Sequence, residues 1–178
     1  MPVVEAKSQN VFQRVLVIFI SLLIVTALLI GVKTTSLGSG IALFAGTRPT
    51  NLGIYSGELA PCPETPNCVN SQSQDAIHKI EPFPYNSSPE KAMADLKTVI
   101  QSFNRTKIIT ATNTYIYAEF MIPIVGFVDD VEFYLDKSKK IIHVRSASRL
   151  GESDLGVNRR RIETIRTKLN QLKNNTFA

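Results

Sequence analysis

The groups best suited to chemistry in this 178-residue chain cluster late, in residues 145–161, which read RSASRLGESDLGVNRRR. From Lys137 to the C-terminus eleven Lys or Arg stand against three Asp or Glu, while the whole chain carries a net charge of +5. Ser146, Ser148 and Arg149 close a predicted strand. Ser153 or Asp154 is a cap for the helix that follows, and Gly156 falls in that helix's first turn. Backbone N–H groups at a helix start, nearby hydroxyls and arginine forks together suit a phosphate or sulfate group. The candidate anion site is therefore Arg145, Ser146, Ser148, Arg149, Gly156, Arg159 and Arg160. A plainer reading competes with it: Asp154 caps the helix itself, and the arginines form a solvated basic face. Nucleic acid is not an expected partner, because the chain has no reading helix of a known type and no interleaving of aromatic and basic residues.

A second candidate is an acid–base pair. If two strands turn at Lys137-Ser138, Glu132 lies opposite His143 and Asp130 opposite Arg145. With a serine from Ser146 or Ser148 and the arginines, Glu132 and His143 would make a hydrolase or transferase for a phosphorylated or lipid substrate. Such a pair needs burial and a pocket. Ordinary cross-strand ion pairs, each worth little, explain the same residues, so no catalytic residue is assigned. No Walker loop, HExxH, GxSxG or GxGxxG occurs. Two cysteines and two histidines rule out a four-cysteine zinc site, and neither a metal nor a cofactor is expected.

The cysteines sit in Pro61-Cys62-Pro63-Glu64-Thr65-Pro66-Asn67-Cys68. Two prolines restrict the chain between them, which favours a Cys62–Cys68 disulfide. Two free thiols rank second. A metal held with His78 ranks a distant third, for want of a fourth ligand. A disulfide would place the domain outside the reducing cytosol.

The elements that must position these groups begin with Val15 to Val32, 18 residues without a charge. As a helix this segment is about 27 Å long, close to the hydrocarbon thickness of a bilayer. An uncleaved transmembrane anchor is favoured over a cleaved signal segment. Lys and Arg tie across its flanks, so the positive-inside rule leaves orientation open. The organisation read is thus an N-terminal tail over 1–14, an anchor over 15–32, a linker over 33–45 and a globular domain over 46–178. Residues 46–80 are rich in Pro, Gly, Asn and Ser and are expected to form a long loop wrapped on that domain.

Ser88-Pro89-Glu90 is a helix start. Ala92, Met93, Leu96, Val99, Ile100 and Phe103 then mark an amphipathic helix over 89–103. Val157, Ile162, Ile165, Leu169 and Leu172 mark another over 155–172. Between them, 107–111 and 114–122 pair around Thr112-Asn113 with Ile109 beside Ile116. Residues 128–136 and 139–148 pair with Phe133 opposite Ile142 and Val131 opposite Val144. A four-residue second turn would keep the same faces. The fold class is α+β: a four-stranded antiparallel meander with two helices on one face, preceded by the anchor and the long loop. The other face carries Tyr115, Tyr117, Glu119, Asp130, Glu132, Tyr134, His143 and Arg145, either as a solvated surface or as a docking face. The apolar connection Met121 to Phe127 either lies under residues 46–80, the favoured reading, or touches lipid or a partner.

Three stretches carry a family resemblance: GTRPTNLGIYSGELAPCPETPNCVNSQ (46–72), FVDDVEF (127–133) and VRSASRLGESDLGVNRRRIETIR (144–166). Over residues 46 to 172 the chain resembles Domain of Unknown Function 1499, found in bacteria, cyanobacteria included, and in plastid-bearing eukaryotes. The resemblance supplies no activity for particular residues and implies an envelope or photosynthetic-membrane setting. The expected function is a non-catalytic, membrane-tethered, single-pass binding or assembly domain facing a periplasm or thylakoid lumen. Its expected partners are the bilayer through residues 15–32 and an anionic lipid headgroup or a membrane protein complex.

Overall fold

The computed structural model describes residues 15–25, 45–123 and 126–176. The chain divides into two units, Met1–Ile41 and Ala42–Ala178. In the first, residues 15–25 form a helix (α1) with exposed side chains. The rest of the expected anchor, the N-terminal tail and all but the last residue of the linker lie outside the described residues. Among the described residues no helix is long and apolar enough to cross a membrane.

The second unit is α+β. Its elements run β1 (Cys68–Asn70), β2 (Phe83–Pro84), α2 (Pro89–Gln101), β3 (Thr106–Ala111), β4 (Tyr115–Met121), β5 (Val128–Asp136), β6 (Ile141–Ser148) and α3 (Val157–Thr176). All six strands belong to one antiparallel sheet, ordered β1-β6-β5-β4-β3, and β2 also pairs with β6. The expected four-stranded meander is therefore the larger part of a six-stranded sheet. The two additional strands have three and two residues, too few to show alternation; β1 comes from the segment read as loop, and β2 from the stretch between that loop and α2.

Ser88 caps α2 by accepting from the Lys91 amide at 3.2 Å, with Pro89 in the first turn. Helix α3 starts two residues later than expected. Leu155 and Gly156 both have positive φ, at 53° and 78°, and Asp154 caps from outside by accepting from the amides of Gly156 and Asn158. The apolar stripes of both helices enter one core. Leu96, Ile100, Ile162 and Ile165 pack there with Ile116, Val131, Phe133 and Val144 of the sheet, all at most 1% exposed.

Two register expectations are corrected. The β5–β6 turn spans four residues, with Asp136 accepting from the Ser138 and Lys139 amides. Phe133 consequently pairs with Val144, Val131 with Ser146, Asp130 with Ala147 and Glu132 with Arg145. The faces are unchanged, because a shift of two residues preserves them. In the first hairpin the register shifts between Ile108 and Thr110, and Ala111, not Ile109, pairs with Ile116. A bulge inserts one residue into a strand and leaves it unpaired. Of the apolar connection, residues 124–125 lie outside the described residues, and its described ends are not fully covered. Ile122 and Phe127 border an open cleft with Leu150 and Leu155, and Phe127 is 37% exposed.

Candidate functional site

The sheet face away from the helices carries the charged set anticipated for it, but that face is not an open surface. Tyr117, Asp130, Glu132, His143 and Arg145 are all buried, and Tyr115, Glu119 and Tyr134 are half-buried. Residues 46–72 run over this face as a strap. The Gly53 amide donates to Glu132 Oε1 at 2.7 Å, in a backbone conformation (φ 116°) that glycine adopts readily. Arg48 donates to Glu119 Oε1 at 2.6 Å. Asn70, held in β1 beside Arg145, donates through Nδ2 to the Ala60 carbonyl at 3.0 Å. Leu59 and Ala60 are buried in consequence.

Each carboxylate under the strap has a cation or phenol as partner. Tyr115 donates to Glu132 Oε1 at 2.7 Å, and Arg145 reaches Glu132 Oε2 at 3.3 Å. Arg145 also reaches the Pro61 carbonyl at 3.5 Å, while its Nε is buried without a hydrogen-bond partner. Arg149 grips Asp130 with both prongs, Nε to Oδ2 at 2.9 Å and Nη2 to Oδ1 at 2.7 Å, and also contacts Glu119. Tyr117 donates to Asp130 Oδ1 at 2.6 Å. Burial, with Glu132 beside it, pushes the Tyr115 phenol far above its usual range, and Tyr117 rises in the same way beside Asp130. Burial works against ionisation of Glu119 too, yet the guanidinium hydrogen bonds of Arg149 and Arg48 prevail and hold its carboxyl low. Hydrogen bonding to Asp130, with Glu119 adding to it, raises Arg149 although burial opposes the shift. This layer is a set of neutralised ions, stable because each charge removed from water meets an opposite one.

The seven residues proposed for anion binding separate in space. Arg145 and Arg149 are consumed by the carboxylates just described. Ser146 donates to Asn158 Oδ1 at 2.6 Å on the helix side of the sheet. Ser148 accepts from Asn158 Nδ2 at 3.0 Å. Arg159 donates to the carbonyls of Lys79 and Ile77, both at 2.9 Å, and so ties α3 to the loop. Arg160 is exposed and donates to the Leu155 carbonyl at 2.8 Å, beside Gly156. The seven therefore do not converge on one pocket.

The acid–base pair is likewise not assembled. Glu132 pairs with Arg145, whereas His143 lies across from Tyr134 and stacks on it, with ring centroids 6.0 Å apart. His143 Nδ1 instead meets Ser71 Oγ at 3.1 Å. That hydroxyl also accepts from the Val144 amide at 2.9 Å, which pins the strap's end to β6. Burial, then the charge of Lys139, lowers the His143 pKa, with Asp136 acting the other way.

Sequence reasoning missed a second buried polar group, on the helix side. Arg161 pairs with Asp129, both nearly inaccessible, and donates to Ser146 Oγ at 3.0 Å and Asn158 Oδ1 at 2.6 Å. Asn158 in turn donates to the Asn67 carbonyl at 2.9 Å. The signal was available: Asp129 shares its face with Val131 and Phe133, and a carboxylate on a core face calls for a buried cation.

Cys62 and Cys68 are bonded, with Cα atoms 5.7 Å apart, and hold the strap next to β1. His78 packs against the same bend, with Nδ1 2.8 Å from Asp75 and Nε2 3.2 Å from the Thr65 carbonyl. Among the described residues no cluster of His, Cys, Asp and Glu could hold a metal ion.

No curated protein matches the chain. A family described as "Protein of unknown function (DUF1499)" matches residues 58–169, from the disulfide loop to the third turn of α3 and beyond. That span takes in every strand, all of α2 and the first thirteen residues of α3, and it covers more than half of the sequence, so the chain belongs to the DUF1499 family.

Proposed function

We propose that this chain is a non-catalytic, membrane-tethered binding or assembly domain, single-pass, with its globular part in a periplasm or thylakoid lumen. The observation that carries the reading is the closed charge layer. Glu119, Asp130 and Glu132 are each matched to Arg48, Arg149 or Arg145 beneath the strap. A general acid or base needs access to substrate and a proton free to move, and neither suits residues held in this way. Among its exposed groups are three apolar ones around one cleft, Phe127, Leu150 and Leu155. The uncharged run 15–32 supports the tether. The Cys62–Cys68 disulfide supports an oxidising compartment.

Membrane extraction of the full-length chain tests the tether. Retention in the pellet after a carbonate wash, with release of a chain lacking residues 1–44, is the expected result. Release of the full-length chain by carbonate would contradict it.

A further inference from the structure

One end of the sheet, where β5 begins and β6 ends, carries the outward-facing apolar groups. Ile122, Phe127, Leu150, Leu155 and Val157 line an open cleft of about 210 Å³, with Asp129 and Ser148 among its polar walls. Leu155 stands out from it with 84% of its surface exposed. Its φ of 53° lies in the left-handed region, where a bulky side chain is strained. The surroundings fix that conformation: Asp154 binds the amides of Gly156 and Asn158, and Arg160 donates to the Leu155 carbonyl. A leucine held rigidly outward in a strained turn is a preformed contact and not a solvated loop tip.

The path of the chain identifies what this rim meets. The domain's first described residues, Ala45 and Gly46, lie against this end: a Cβ on Gly46 would come 2.8 Å from Arg149 Cβ and 3.0 Å from Leu150 Cγ. The residues leading to that point, 41–45, read IALFA and carry no polar side chain. Thirteen residue steps separate Val32, the end of the uncharged run, from Ala45. Even fully extended they reach no more than about 45 Å. The chain therefore enters the domain at the cleft end. We propose that the rim formed by Leu155, Leu150 and Phe127 inserts into the headgroup–acyl boundary of the bilayer, so that the domain rests on the membrane by its cleft end. Amphipathic surfaces of this kind bury their apolar groups about 5–10 Å into that boundary. Arg160, bonded to the carbonyl of the protruding leucine, sits where a lipid phosphate would lie. This inference rests on the membrane tether proposed above.

The test uses the full chain, not reduced, so that Cys62 and Cys68 stay bonded and an introduced cysteine is the only reactive thiol. A polarity-sensitive fluorophore is attached in Leu155→Cys or, at the far end of the sheet, in Lys137→Cys. Both positions are exposed, so neither substitution disturbs the core. Each protein is reconstituted into phosphatidylcholine–phosphatidylglycerol vesicles, with and without nitroxide-bearing lipid, and recovered by flotation. The expected result is a blue-shifted label at 155 that loses emission to the nitroxide lipid, with an unshifted, unquenched label at 137. Water-like emission at both positions in floated protein would overturn the insertion and leave the tether standing. A blue-shifted but unquenched label at 155 would mean that protein covers the rim, residues 41–44 or a second copy included, and would overturn it as well. Protein that fails to float would remove the tether, and the insertion with it.

Discussion

Arg149 and Asp130 meet through two parallel hydrogen bonds, Nε to Oδ2 at 2.9 Å and Nη2 to Oδ1 at 2.7 Å, with the aspartate buried and the arginine side chain 6% exposed. The arginine lies just after β6 and the aspartate near the start of β5. Their pairing converts what reads in sequence as a basic surface into an internal clamp across the end of the sheet. Removing one member of such a buried pair leaves the other charge uncompensated, a loss of about 3–5 kcal/mol. Arg149→Ala is expected to lower the unfolding free energy by about that amount in urea titrations. Arg149→Lys should be damaging too, because an ammonium cannot reproduce the fork. A change below about 1 kcal/mol for Arg149→Ala would place the side chain outside the clamp.

The disulfide holds the strap against β1. Closing a loop this short contributes about 2 kcal/mol on chain-entropy grounds. The double substitution Cys62→Ser, Cys68→Ser is expected to destabilise the domain by that order. Mass spectrometry of unreduced protein from its native compartment should show no alkylated thiol, and two freely alkylated cysteines would contradict both the bond and the extracytoplasmic placement.

Acidification should lower stability in two stages, with signs that follow from the folded-state shifts. His143 has its pKa lowered by burial and by Lys139. The unfolded chain therefore holds more protons below about pH 6.5. Stability is full above that pH and declines as pH falls toward the folded value. His143→Gln should remove this first decline. Asp136, lowered to about 2 chiefly by the Ser138 hydroxyl, and Glu119, lowered by its arginines against burial, act later. Their contribution is present above about pH 4 and is lost as pH falls through their folded values. Chemical-denaturation midpoints between pH 2 and pH 8 measure both stages, and a flat profile for the wild type between pH 5 and 7 would contradict the first.

Ser71 links His143 Nδ1 to the Val144 amide and is a structural pin. Ser71→Ala is expected to weaken the domain by about 1 kcal/mol, the usual worth of a hydrogen bond whose partner stays behind. It should leave the β5–β6 amide shifts in nuclear magnetic resonance spectra unchanged beyond its immediate neighbours. A change in those shifts across the whole β5–β6 pair would contradict a purely local role.

The long periodic elements could be read from the sequence because their apolar spacing repeats over many residues. Leu96 and Ile100, or Val131 and Phe133, point to the core whichever turn joins the strands, so the faces of β4, β5 and β6 were assigned correctly although the β5–β6 register was off by two, whereas in β3 the bulge brings Ile108, not Ile109, onto the core. Elements of two or three residues have no period to read, which hid β1 and β2. The closure of the charged face was hidden for a different reason. It depends on Gly53, Asn70 and Pro61, residues whose partners lie more than seventy positions away, except for Asn70's local bond to Ala60. The seven residues read as an anion site, with charge counted along the chain, lie apart. In three dimensions Arg145, Arg149 and Arg161 each face a carboxylate from β5.

The central claim is that the charged face of the sheet is sealed by the strap, and amide hydrogen exchange at Gly53 tests it most directly. Its N–H donates to the fully buried Glu132 and should exchange only when the strap lifts away. The expected result is protection comparable to that of the β5 amides under native conditions, diminished in Glu132→Ala. Exchange of the Gly53 amide at the rate of an unstructured peptide would contradict the claim, because the charged face would then open freely to solvent.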